Sequence, residues 1–182
     1  MKKRYKFAGI GCLAVMFLLG AVAMYLILNY DRLDTGYQKA ADVVRKKHAK
    51  EIRDLVMEYV DKSGHLPFEE ESKGQRFMVL IGHSSRAEED FAKEEVLDKG
   101  ATFTNADALE AELTKVLGRE IQLPRDPQKV ATYAPNVYIY FLSGEQFSVV
   151  VHLFEASPKS VPYIWRGKTF HSHTLTYSRK SG

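Results

Sequence analysis

Cysteine is nearly absent from this chain: 182 residues contain one, Cys12. No intrachain disulfide can form, so the fold must be held by its core rather than by staples. Cys12 lies inside an apolar stretch and is expected to serve as a small hydrophobe. It is a poor lipid acceptor, because Lys6 stands only six residues upstream and the apolar run follows it. Acid is missing from the N-terminal end, where all 23 Asp+Glu come after residue 30 while Lys2, Lys3, Arg4 and Lys6 crowd the first six positions. The net charge of +3 is therefore a property of the tail, and the remainder carries 22 Lys+Arg against 23 Asp+Glu. A nucleic-acid-binding domain would carry a positive excess on its folded surface, so that class is excluded. Internal repeats and low-complexity tracts are also lacking, and no residue pattern calls for a cofactor.

What is present begins with 24 uncharged residues from Phe7 to Tyr30. As a helix they would span about 36 Å, against a hydrocarbon core of about 30 Å. This predicts a transmembrane helix over 7–30. The basic tail 1–6 is then expected to be cytoplasmic by the positive-inside rule, with the rest outside. Such a chain would be a single-pass protein of a bacterial inner membrane with a periplasmic C-terminal domain. Ala21-Val22-Ala23 matches a signal-peptide cleavage pattern. The apolar run continues through Leu28, however, and exceeds the roughly 7–15 residues of a secretory core.

Over residues 31–66 the spacing predicts a soluble continuation of the helix. Leu33, Tyr37, Ala41, Val44, His48, Ile52, Leu55 and Tyr59 recur at steps of three or four, with charges such as Arg45 between them. Gly64 and Pro67 supply the stop. Residues 67–182 are expected to form an α+β domain. Phe77–Ile81 is a short apolar run compatible with a buried strand or a helical turn, and Ser84 to Gly100 is charged and possible as helix. Thr104 or Asn105 can cap a helix with Leu109, Leu113, Val116 and Leu117 on its apolar face, stopped by Gly118. Strands are expected at Val137–Leu142 and Gln146–Phe154, joined by a three-residue turn Ser143-Gly144-Glu145, and at Lys168–Tyr177. The fold class expected is thus α+β, a long N-terminal transmembrane-plus-amphipathic helix packed against a small antiparallel sheet.

This arrangement resembles the type IV pilin and type II secretion pseudopilin family. The carrying residues are Tyr59, then Gly64-His65-Leu66-Pro67 at the exit of the long helix, followed by Leu109, Leu113 and Leu123-Pro124-x-Asp126-Pro127. Tyr138-x-Tyr140, Gly144, Phe147-x-Val149 and Leu153-x-Glu155 are similar to the family's first hairpin. The usual prepilin cleavage motif and its Glu are lacking, since no acid precedes Asp31. The resemblance therefore implies a pilin-like domain on a permanent anchor.

Four groups of residues could carry chemistry or contacts. Gly82-His83-Ser84-Ser85-Arg86 partly matches a nucleophile elbow, but Arg86 stands where the motif needs Gly. Ser84 or Ser85 is expected instead to cap a helix that opens on Glu88, Glu89 and Asp90. His171 and His173 share one strand face and would need His152 or a carboxylate to complete a metal site. Glu69-Glu70-Glu71 is expected to be a solvated charge run rather than a Ca²⁺ site. No metal ligand is therefore assigned. Tyr163 and Trp165, in a loop from Pro158 to Gly167, are the candidate protein-binding residues. The expected function is that of a membrane-anchored, non-catalytic pilin-like protein, an accessory or assembly component of a secretion or pilus-type envelope machine. The alternative is a membrane-tethered periplasmic module, such as an immunity protein neutralising a toxin. Partners would be other envelope proteins or a periplasmic protein ligand, plus the bilayer through 7–30, with homo-oligomerisation left open.

Overall fold

The structure, a computed structural model, describes residues 15–16, 18–25, 30–72, 75–93, 101–128 and 135–178. The chain divides into two compact units, Met1–Gln38 and Lys39–Gly182. In the first, residues 15–16 and 18–25 are helical, and large apolar side chains such as Leu18 and Leu19 are exposed. Helix α1, Tyr30–Ser63, contributes to the second unit from Lys39 on.

Among the described residues no helix is long and apolar enough to cross a membrane. Of the expected 7–30 span, residues 7–14, 17 and 26–29 lie outside the described residues, as do the 1–6 tail and Cys12. The helix that has the length, α1, carries charge in every turn, from Asp31, Arg32 and Asp34 through Lys39 and Asp42 to Asp61 and Lys62, and charge at membrane depth is costly. The transmembrane part of the expected fold is therefore corrected. With it go the single-pass inner-membrane placement with a cytoplasmic N-terminus and periplasmic domain, and the bilayer as a partner. Both expected functions, the membrane-anchored pilin-like component and the tethered immunity module, rested on that span and are corrected with it.

The second expected feature, a small antiparallel sheet, is also corrected. Six strands form one mixed sheet in the order β2-β1-β3-β4-β6-β5. They are β1 Phe77–Ile81, β2 Thr102–Asn105, β3 Tyr138–Ser143, β4 Gln146–Leu153, β5 Val161–Trp165 and β6 Lys168–Ser178. Two short helices, α2 Ser85–Ala92 and α3 Ala106–Leu117, complete the α+β fold. β1 and β2 run parallel, joined through α2, and the remaining pairs are antiparallel. Such a parallel pair needs a crossover, and residues 82–101 provide it.

The period-2 alternation assigns the two sheet faces. On one, Val79, Tyr140 and Val149 pack with Ile52, Val56 and Tyr59 of α1 and Leu109, Leu113 and Leu117 of α3. On the other, Met78, Leu80 and Ile139 pack with Phe91 of α2. All five β1 residues are buried, as a central strand covered on both faces requires. The buried tyrosines send their hydroxyls to partners at the core's rim: Tyr59 to Glu112 Oε1 at 2.6 Å, Tyr140 to Pro67 O at 3.2 Å, and Tyr138 to His48 Nδ1 at 3.0 Å. An unpaired hydroxyl there would cost more than the bond returns.

The helix ends follow their chemistry. α1 stops at Ser63 with Gly64 at φ 80°, and α3 stops at Gly118 with φ 72°, the left-handed exit that glycine adopts without strain. Asn105 caps α3 by accepting from Ala108 N at 3.1 Å. The β3–β4 turn is shorter than expected: Ser143 pairs with Gln146, leaving Gly144 and Glu145 as a two-residue loop.

One buried ionic cluster fastens α1 to the far end of the sheet. Arg45 is fully buried. Its guanidinium donates to Asp126 Oδ2 at 2.7 Å and Oδ1 at 3.1 Å, to Asp42 Oδ1 at 2.9 Å, and to Gln128 Oε1 at 2.7 Å. Asp42 in turn accepts from the backbone N–H groups of Phe154 and Glu155, each at 2.9 Å. The His83 ring bonds the backbone carbonyl of Asp126. Burial alone would disfavour the Arg45 charge, yet the two carboxylates outweigh it and hold its pKa above the ordinary value.

Candidate functional site

β1 leads into α2 and β2 leads into α3, and the two helices pack on opposite faces of the sheet. Adjacent parallel strands whose helices leave to opposite sides must separate at their carboxyl ends, and ligands of open α/β sheets bind in the crevice so formed. Here that crevice is a cleft of about 210 Å³. Leu80 and Phe103 give it apolar wall. Ser85, Glu88 and Glu89, at steps of three and four along α2, face it together, and Thr104 and Asn105 close it from β2.

Glu88 is the structural centre of the crevice. It is 6% exposed, accepts from Gly82 N at 2.9 Å, and is also bonded by the backbone N–H of Ala106. One side chain of α2 thus ties together the exits of both parallel strands. Burial, acting against those two donors and Arg125, leaves its pKa raised, with Asp107 adding to the rise. Gly82 leaves room for this approach: a Cβ there would lie 3.0 Å from Glu88 Cγ and 3.4 Å from Val137 Cγ2, so those side chains would have to shift.

Ser84 is the N-cap of α2, accepting from Ala87 N at 3.3 Å with extended backbone. The strand–turn–helix context of a nucleophile elbow is present, but Ser84 lacks the strained left-handed conformation, and its oxygen is committed to the helix. Glu69 also acts structurally, accepting from Leu66 N at 2.7 Å, and Glu70 and Glu71 are exposed. No group of three or more His, Cys, Asp or Glu that could hold a metal occurs among the described residues. His171 pairs with Leu153 and His173 with Val151, whereas His152 pairs with Ser172. By strand parity His152 projects from the opposite face, so it cannot complete a site with the other two. Residues 94–100, Tyr133 and the end from 179 lie outside the described residues.

Tyr163 and Trp165 lie on strand β5 rather than in a loop. Trp165 is buried against Phe170, and the Tyr163 hydroxyl bonds Nδ1 of buried His152 at 2.6 Å. Burial drives the His152 pKa down to about 3, with the charge of Arg45 adding to the fall. The exposed apolar side chains of this strand are Val161 and Ile164.

Sequence reasoning assigned Glu88 only to the first turn of a helix and gave Phe103 no role. The signal that could have found the pair is the order strand, Gly, cap, helix at 77–92, followed by a second capped helix at 105. Compared with family models, with curated proteins and with solved structures, the chain matches none.

Proposed function

We propose that Lys39–Gly182 is a non-catalytic recognition domain that takes its ligand in the crevice between α2 and β2. The observation that carries this reading is the crevice itself, an open cleft at the carboxyl ends of two parallel strands with apolar wall on two sides and Glu88 at its base. A concave, partly apolar cleft with a few convergent polar groups is the usual form of a binding site. The groups around it are occupied with structure: Ser84 caps α2, and Glu88 accepts from two backbone amides. No nucleophile, base and orienting group stand together there, which favours binding over turnover.

The pilin resemblance is supported by α1 laid across antiparallel strands, and opposed by the parallel β1–β2 edge. The non-catalytic part of that resemblance fits the crevice; the filament part has no support in it.

The test is titration of the chain with n-butylammonium, a cation with an apolar tail, followed by amide chemical shifts. Saturating shifts confined to Ser85, Glu89, Phe103 and Thr104 are expected. Shifts absent from those four amides would refute the crevice as a site.

A further inference from the structure

We infer that the occupant of this crevice is an extended peptide segment that adds as a strand to the side of β2 away from β1 and places one basic side chain between α2 and Phe103. The inference rests on the crevice being the binding site and names the class of its ligand.

Among the described residues β2 ends the sheet on its side and pairs with β1. Thr102 N donates to Arg76 O at 2.9 Å, which fixes the phase of the parallel ladder. Residues alternate between facing the neighbour and facing away, so Thr102 and Thr104 face β1 while Phe103 turns both its N–H and its C=O outward. A strand edge in this state is a template for another chain.

Phe103 is 52% exposed, unusual for a phenylalanine in a strand, and it sits beside the cleft rather than in a core cluster. Its register partner is Met78, and that of Asn105 is Leu80. Phe103 and Asn105 therefore project from the sheet face that α2 covers. A peptide laid along the outer side of β2 would present alternate side chains to that same face, directly over the opening. The cleft, about 210 Å³, has room for a long side chain.

Charge points the same way. Glu88 and Glu89 line the cleft, and Asp107 in the first turn of α3 acts on Glu88. Arg125, whose charge acts on Glu88, is drawn to Glu110 at 2.9 Å. The crevice is thus acidic around an apolar wall, and a lysine or arginine matches it, with the methylene stem on Phe103 and the charged end at the carboxylates. The opposite edge is a poorer template. There Pro162 of β5 has no N–H to offer.

The experiment uses the full chain and two heptapeptide libraries of β-forming residues, one with lysine or arginine fixed at the centre and one with glutamate. The expected result is saturable binding of the basic library alone, with slowed hydrogen exchange at the Phe103 amide. N-methylation of the ligand residue facing Phe103 should weaken binding about tenfold, the cost of a lost buried main-chain bond. Glu89→Lys, a change at an exposed helix position that leaves the fold intact, should abolish preference for the basic library. Equal binding of both libraries overturns the inference, as does tolerance of N-methylation or absence of binding. If n-butylammonium shifts the crevice amides but no peptide protects Phe103, strand addition fails while the crevice stands. If neither binds, both readings fall.

Discussion

At the scale of single residues, the buried polar side chains decide how this domain responds to change. Arg45 satisfies two carboxylates and Gln128 at once. Arg45→Met should cost about 3–5 kcal/mol, because it strands both Asp42 and Asp126 without a counter-charge, and urea denaturation would measure it. Adding Asp126→Asn should recover part of the loss. His152 gives a pH signature. The unfolded imidazole takes up a proton near its ordinary pKa, while the folded one resists until about 3. Between these values the unfolded state binds more protons, so stability is complete above about 6.5 and declines as pH falls. The expected slope from this group is about 1.4 kcal/mol per pH unit. His152→Gln keeps an acceptor for Tyr163 and should remove that share of the acid sensitivity; equal slopes in the two proteins would refute the assignment. Glu88 works in the reverse sense. Its folded pKa is raised, so its contribution is present at acid pH and lost as pH rises through that value. Glu88→Gln should therefore be neutral or stabilising at pH 7.

At the scale of elements, the sequence was legible where side-chain period and turn chemistry agree. Asn105, Leu109, Leu113 and Gly118 marked α3 from cap to exit. Gly64 marked the end of α1. The buried stripe of α1 was misjudged. Ala41, Ile52 and Tyr59 belong to it, but so do Arg45, Ala49 and Val56, while Val44, His48 and Leu55 are only partly buried. Arg45 reads in the sequence as one of the charges between the apolar positions, since an arginine is almost never fully buried unless paired, and besides Asp42 its partners lie 81 and 83 residues away. Ile52→Ala should accordingly cost about 2–5 kcal/mol, and Val43→Ala, at an exposed position, less than about 0.5. β5 was hidden for another reason: Pro158, Pro162 and Gly167 around it are loop signals. The structure gives Pro162 a role. Arg166 and Gly167 both have positive φ, making the two-residue turn that suits a hairpin, with Trp165 opposite Lys168. The pair closing such a turn is hydrogen-bonded, so Trp165, Tyr163 and Val161 face β6, and Pro162 and Ile164 turn outward. A proline there removes one of two outward N–H groups and blunts the edge. Pro162→Thr should promote concentration-dependent self-association, visible by sedimentation velocity.

At the scale of the whole molecule, the fold class was legible as α+β but the sheet's pairing was not. β1 is apolar at every position, as a strand with cover on both faces requires, but periodicity alone leaves such a run open between strand and helical turn. Its parallel partner carries no comparable signal. Thr102–Asn105 is four residues long, polar at three of them and without apolar alternation, and it becomes a strand because the crossover delivers it to β1. The crevice inherits the same obscurity. Each of its residues has an ordinary local role, and only the departure of α2 and α3 to opposite faces brings them together.

The clamp at Arg45 also has a place in time. It joins residues 42–45 to segments 81 to 113 positions later in the chain, and closing so long a loop costs entropy before any contact rewards it. The hairpins of the sheet close over a few residues and need not wait. Folding should thus finish with the seating of α1, its guanidinium meeting Asp126 only after the strands have set that carboxylate in position. Arg45→Met would then leave the refolding rate nearly unchanged and hasten unfolding. Stopped-flow measurement of both limbs would decide it, and a slowed folding limb would move the clamp from last event to first.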